Sequence, residues 1–326
     1  MESAKGLRKF LSQKMVTLLV LAIIVYATFY ILTGGAFLKK TNISTILNLL
    51  SITGLLSVAV GCLIISGHID LSTGAIGTMG GMVMALILKS GVVWPIAVAL
   101  GLLTGVIIGL INAVLVNALC FQPFIATMAI ASVMNGLTYI ICGGQSTPIR
   151  DSFIKALGTG KLFGLVPTTT CVTLAIFIIF GLMLSKSKFG RSIYLIGGNR
   201  HAARLSGINP VKTSYILFMN SGLLSALAGI LLDARLLSGS TVGTSGSQFS
   251  GITAAMLGGI SFGGGSGSFA GAFIGLLIMV GFSNGLSVLG VIAFWQTFAS
   301  GALLIFALAL DYIYGKRMNR RVATGA

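Results

Sequence analysis

The segment 186–212, KSKFGRSIYLIGGNRHAARLSGINPVK, decides how the whole chain is read. It carries six of the 21 Lys and Arg residues and has apolar sequence on both sides. Charge is otherwise sparse. No Asp, Glu, Lys or Arg lies between Lys89 and Arg150, nor between Arg235 and Asp311. A basic segment of this length needs water, and between apolar spans it is expected on the cytoplasmic face of a membrane. It reads as a docking loop rather than a plain connector.

The chain around it has 326 residues, 56% of them hydrophobic and 8% charged, with a mean hydropathy of +1.03. Soluble domains carry about 25% charged residues. The expected fold class is therefore all-α, a polytopic membrane helix bundle, with a single transmembrane domain over residues 1–326. A net charge of +16 could suit nucleic acid, but its distribution does not. The basic residues gather at Lys5, Arg8, Lys9 and Lys14, in 186–212, and at Lys316, Arg317, Arg320 and Arg321. They make no aromatic-studded basic face, so nucleic acid is not an expected partner. The expected surroundings are membrane lipid.

A membrane span needs about 20 apolar residues. Candidate spans are 15–35, 43–66, 71–88, 93–116, 123–142, 168–185, 213–234, 248–262, 268–288 and 292–312, about ten helices in all. The run from Met15 to Gly34 is too long for a signal-peptide core and is expected to stay as the first span. The eighth span is short and Gly-rich and is expected to be a broken or half helix; such backbone is tolerated at membrane depth only where protein or a cavity surrounds it. An even count puts both termini on one side. The termini and the central loop then hold fourteen of the 21 Lys and Arg residues, and the opposite side holds seven. That bias places 1–14, 186–212 and the tail 313–326 in the cytoplasm. The largest outer loop, about 143–167, shows little apolar periodicity. Gly67, Ile69, Gly74 and Gly80 match Gly258, Ile260, Gly265 and Gly271 at one constant offset, which suggests a parallel internal repeat. Gly101, Gly105 and Gly109, and again Gly267, Gly271 and Gly275, would place smooth stripes on helix faces for close packing.

Catalytic and metal constellations are absent from the pattern. The four cysteines have no metal-ligand spacing and read as small buried hydrophobes. Ser283 fits G-x-S-x-G, yet His68 and His201, the two histidines, fall on the other side, so a Gly-flanked helix contact is expected. The G-x-G-x-x-A at Gly265, Gly267 and Ala270 joins two spans and not a strand to a helix. No G-x-x-x-x-G-K-[ST] occurs, so the chain has no ATP site of its own. Asp70 is the one acid between Glu2 and Asp151. It stands with Gly67, Ser72 and Gly74 between the second and third spans, either as a helix cap or in gating. Polar groups within or beside the spans include Asn112, Thr127, Asn135, Asn220 and Gln296. Each needs a partner in the bundle or a wet pathway. Structure alone accounts for most of them; with Phe124, Tyr139, Phe294 and Trp295 as aromatic faces to hand, the candidate translocation residues are Asn112, Phe124, Thr127, Asn135, Phe294 and Trp295.

Several segments together resemble ribose-type ABC transporter permeases. They are IISGHIDLSTG at 64–74, Phe121 to Thr127, Gly197 to Asn209, the Gly-rich stretch from Leu257 to Gly275, and Gly281 to Gly290. The resemblance runs from about residue 40 to 312 and is most specific in the central loop. It implies a cytoplasmic coupling helix at Gly198, Asn199, Arg200, His201, Ala202, Ala203, Arg204, Leu205, Ser206 and Gly207. It also implies a cytoplasmic ATPase subunit that binds ATP and Mg, a second permease subunit, identical or paralogous, and an extracytoplasmic substrate-binding protein. Ala202, Ala203 and Leu205 would offer an apolar face to the ATPase. The chain departs from the family pattern at His68, where glycine is usual, and at Arg200, where an acid is usual. The function implied is import of a monosaccharide across a bacterial cell membrane by alternating access. Nucleosides, a furanose-type signal and branched-chain amino acids are alternative cargoes. An ATP-independent channel or carrier is the reading of another class, disfavoured by the scarcity of acids within spans.

Overall fold

A computed structural model of the chain describes the backbone of residues 2–323 and the side chains of 15–309. The basic side chains of the expected cytoplasmic segments 1–14 and 313–326 lie outside the described ones. The helices are α1 (Glu2–Leu32), α2 (Lys40–Ile65), α3 (Thr73–Lys89), α4 (Trp94–Asn117), α5 (Pro123–Cys142), α6 (Ser152–Thr159), α7 (Thr168–Lys186), α8 (Lys188–Gly198), α9 (Arg200–Leu205), α10 (Pro210–Leu236), α11 (Ser247–Leu257), α12 (Phe269–Val288) and α13 (Ala293–Ala323). β1 (Thr147–Pro148) pairs antiparallel with β4 (Ser238–Gly239), and β2 (Lys161–Leu162) with β3 (Val166–Pro167).

The protein is thus an all-α polytopic bundle, and each expected span has its helix. Among the described residues, seven helical segments are long and apolar enough to cross a membrane: Met15–Leu32 of α1, α2, α4, α5, α7, α10 and α12. The 17-residue α3 and the 11-residue α11 are shorter. α11 stops at Leu257, five residues before the expected boundary, because Gly258 ends it and a glycine-rich turn takes over. α2, α10 and α12 form the inside of the bundle; α1, α4, α5 and α7 turn apolar faces outward.

Glycine lets these helices touch backbone to backbone, as small residues do where the hydrophobic effect cannot drive association. On α4, Gly101 faces Gly80 O of α3, while Gly105 and Gly109 face Gly222 O and Phe218 O of α10. Gly271 and Gly275 of α12 likewise meet Gly258 O and Ala254 O. Gly267 does not share that stripe. It lies before α12 with φ 136°, in the turn. Gly281 and Gly285 seat the rings of Tyr26 and Phe29, so the G-x-S-x-G segment is a contact surface for α1.

Contacts sort the connections into two ends. The α2–α3 turn (66–72), the α11–α12 turn (258–268), α8 and α9 share one end, where Gly265 N donates to Ile65 O at 2.8 Å. The two turns share topology but not register. Gly74 is inside α3, whereas its counterpart Gly265 is still in a turn at φ 69°. The other end carries α6 and the β pairs. The expected irregular loop 143–167 therefore holds a helix. Asp151 caps it by accepting from Ile154 N at 3.0 Å, Trp94 stacks on Phe153, and Gly158 lies flat on the Ala234 carbonyl of α10.

Candidate functional site

Three polar caps divide the basic segment. Ser187 Oγ accepts from Gly190 N at 2.8 Å and opens α8. Asn199 Oδ1 accepts from His201 N and Ala202 N, each at 3.0 Å, and opens α9. Asn209 Oδ1 accepts from Lys212 N at 3.0 Å and opens α10. The expected single helix over 198–207 is thus a six-residue helix, and Gly198 belongs to the helix before it. α8 lies against the bundle with Ile193 and Ile196 buried. α9 closes at Gly207, φ 78°, with Ile208 N donating to Ala203 O at 3.1 Å.

Arg200, His201, Ala202, Arg204, Leu205, Ser206 and Gly207 are exposed. Ala203 is the exception at 1% exposure, while Leu205 reaches 79%. The expected apolar docking face therefore loses Ala203, which faces inward because position 203 falls on the bundle side of this single helical turn and a half. Leu205 and Ala202 remain on the outside among cations.

Immediately behind α9, the 66–72 turn is held by a buried polar network. Asp70 Oδ1 accepts from Ser72 N at 2.9 Å and from Ser72 Oγ; Oδ2 accepts from Ser221 Oγ of α10 at 2.9 Å. Asn112 Nδ2 of α4 donates to Ser72 Oγ at 2.8 Å, and Leu71 N donates to Thr127 Oγ1 of α5 at 3.1 Å. Asp70, Ser72, Asn112, Thr127 and Ser221 are all fully buried. Asp70 is not itself the cap of α3, which is Ser72; it accepts one amide of the turn and ties that turn to α10. Gly74 follows in the first turn of α3, where a Cβ would strike Gln248 Oε1 and Thr244 O. Gly67 is exposed at φ 81° and turns the chain out of α2.

His68 lies in the same turn, 5% exposed, with Ser66 Oγ 3.0 Å from Nδ1 and its ring edge-on to Phe218. Burial, assisted by the charge of Arg200, pushes it down to about 4, so the ring is neutral near pH 7. The two departures from the family pattern therefore sit within electrostatic reach of each other. An acid at 200 would pull this histidine the other way.

The candidate pathway residues do not form one lining. Asn112 and Thr127 belong to the Asp70 network. Asn135, half-buried on α5, accepts from Ser245 Oγ at 2.6 Å. Phe124 is exposed at the α9 end of α5, and Phe294 and Trp295 are exposed at the start of α13, at the opposite end. Gln296 turns back to Val291 O at 2.7 Å. Two groups escaped the sequence reading. Ser221 is an ordinary serine in an apolar span until Asp70 meets it. Asp233 is an acid inside a span, 1% exposed, accepting from Ser240 N at 3.2 Å, and its position within 213–234 was the signal that could have found it. Of the cysteines, Cys62 is buried but Cys120 is exposed in the α4–α5 turn, which corrects the expectation of four buried thiols.

Sequence comparison adds the following. A family described as "Branched-chain amino acid transport system / permease component" matches residues 42–308. The ribose import permease protein RbsC of Bacillus subtilis (strain 168) is 36% identical, over 85% of this chain and 86% of its own. The L-arabinose transport system permease protein AraH of Escherichia coli (strain K12) is 35% identical over 86% of this chain and 87% of its own. The xylose transport system permease protein XylH of Haemophilus influenzae is 31% identical over 92% of this chain and 96% of its own.

Proposed function

The chain belongs to the family of branched-chain amino acid transport system permease components, and from that membership we propose that it is the membrane-spanning subunit of an ATP-driven importer of a monosaccharide. It is a multi-pass membrane protein and a transport subunit. One observation carries the finer reading. A capped helix, α9, presents Arg200, His201, Ala202, Arg204 and Leu205 to solvent at the end of a bundle poor in charge. The same chain has no phosphate-binding loop in its sequence.

In this reading a cytoplasmic ATPase subunit, which binds ATP and Mg, receives α9. A second permease subunit, identical or paralogous, completes the pathway; an identical one would align two half-pathways by two-fold symmetry. An extracytoplasmic binding protein delivers cargo to the α6 end. The charge bias supports both termini and α9 in the cytoplasm of a bacterial cell. ATP closure displaces α9, and the bundle shifts population between outward and inward states without changing a bond. The relatives named for ribose, L-arabinose and xylose support a pentose-sized sugar. The family description supports a branched-chain amino acid as the second reading.

The test is affinity purification from native membranes, followed by uptake assays with ribose, arabinose, xylose and leucine. Recovery of an ATPase subunit, lost in Leu205→Glu, together with ATP-dependent sugar uptake is expected. Uptake by the chain alone, without ATP, would overturn the reading; leucine uptake would replace the cargo.

A further inference from the structure

Gly197, one residue from the end of α8, lies where three segments meet. On one side is the Ile65 carbonyl that ends α2, and on the other the Gly265 amide of the 258–268 turn. These two are hydrogen-bonded to each other at 2.8 Å. A Cβ on residue 197 would collide with both atoms of that bond. From the same turn, the Cβ position of Gly264 lies 3.1 Å from Gly197 O and 3.2 Å from Gly67 N. Three residues earlier on α8, Tyr194 donates its hydroxyl to Gly267 O at 2.7 Å. Two residues after Gly197, Asn199 caps α9.

We propose that Gly197 is a positioning residue for transport: it transmits displacement of α9 to the 66–72 and 258–268 turns together. This rests on α9 being the docking helix for the ATPase. The contacts are backbone on backbone. No flexible side chain lies between them to absorb a shift, and close-packed interiors pass strain on. The other route out of α9, through Gly207 and Asn209 into α10, reaches the first turn by way of Ser221 and Asp70. The 258–268 turn, which opens α12, is met by the α8–α9 segment through Tyr194, Gly197 and Gly198. One rigid joint thus serves the two turns that enter and leave this end of the bundle. Both move when α8 moves.

The experiment uses the complex of this chain with its ATPase subunit. Amide hydrogen exchange is followed over 66–72 and 258–268, with and without an ATP analogue. In the unsubstituted chain the analogue changes exchange in both turns. In Gly197→Ala the ATPase is retained, and the analogue-dependent change at 258–268 falls roughly tenfold, within the range of coupling between sites. Tyr194→Phe, which keeps the glycine joint and loses one hydrogen bond, reduces the change about threefold. Gly263→Ala, in the same turn but with only Ser261 Oγ near its Cβ at 3.8 Å, leaves it unaltered. A merely structural role would raise exchange equally with and without nucleotide.

An unsubstituted chain whose 258–268 turn ignores the analogue overturns the proposal, as does a Gly197→Ala chain that responds in full. Both results leave the docking reading standing. If Gly197→Ala fails to insert, a full response in Tyr194→Phe overturns it. If the unsubstituted chain retains no ATPase at all, the docking reading falls first and the proposal with it.

Discussion

Ala203 and Leu205 stand two residues apart on α9 and face opposite ways, so one substitution has two meanings. Glutamate at 203 would be driven into the bundle, where an unpaired carboxylate costs several kcal/mol, on the order of 3 or more. Ala203→Glu is expected to lower the yield of folded protein and its melting temperature in detergent. Leu205→Glu adds the same charge in water and is expected to leave melting unchanged while abolishing ATPase capture. Equal melting for the two variants would contradict the orientation of this helix. His68 offers a second test at the same scale. Its folded form is held at about 4 against an ordinary 6.5. Above the ordinary value both folded and unfolded chains hold it neutral. Below it the unfolded chain takes the proton first, so stability falls as pH drops from 6.5 toward 4. The melting temperature is expected to decline from about pH 7 to about pH 5, and His68→Gln should flatten part of that decline. A decline of the same slope in the variant would assign it to other groups.

At the scale of the element, α9 is a six-residue helix, too short to be stable on propensity and closed by one side chain at its start. Removing an N-cap of this type costs about 1 kcal/mol. Asn199→Ala is therefore expected to speed amide exchange over 200–205 about fivefold and to weaken ATPase binding by a similar factor, with Asn199→Asp restoring both. Unaltered exchange would mean that packing of Ala203, and not the cap, holds the helix. The capping residues Ser187, Asn199 and Asn209 were all in view in the sequence. What hid the division of 186–212 into two helices was its pair of glycines: Gly198 was expected to open the coupling helix, whereas α8 runs through Gly197 and Gly198 and ends there. Gly197 is a glycine for its close approach to Ile65 and Gly265, a contact between segments more than 60 residues apart. α6 was missed for a related reason. Eight residues give too little periodicity to detect, and its place is fixed by Gly158 on α10. The spans themselves were legible because hydropathy depends on composition alone. The choice of Ser221 as the partner of Asp70 was not, because it is made only when α10 packs beside the turn.

Across the whole molecule, the bundle has a middle poor in charge and two unlike ends, and the proposed function depends on which end faces the cytoplasm. The seven cations assigned to the outer side include Lys89, Arg150, Lys155 and Lys161, clustered around α6, so the orientation rests on a bias of two to one and not on an exclusion. Two positions resolve it. Cys120 is exposed in the α4–α5 turn, at the end where Asn117 Nδ2 donates to Ser214 Oγ near the start of α10, two helices from α9. Phe163 is 99% exposed at the tip of the β2–β3 pair, at the other end. With Cys62, Cys142 and Cys171 changed to alanine, a membrane-impermeant maleimide applied to intact cells should label Phe163→Cys, made in a chain with Cys120 also removed. It should spare Cys120 until the cells are opened. The reverse pattern would put α9 outside, beyond the reach of any ATP-hydrolysing partner. The exposed cations and Leu205 would then need another occupant, and the importer reading would fail at its first premise. The expected pattern leaves α9 as the basic, capped projection available to a cytoplasmic motor, with Gly197 directly behind it.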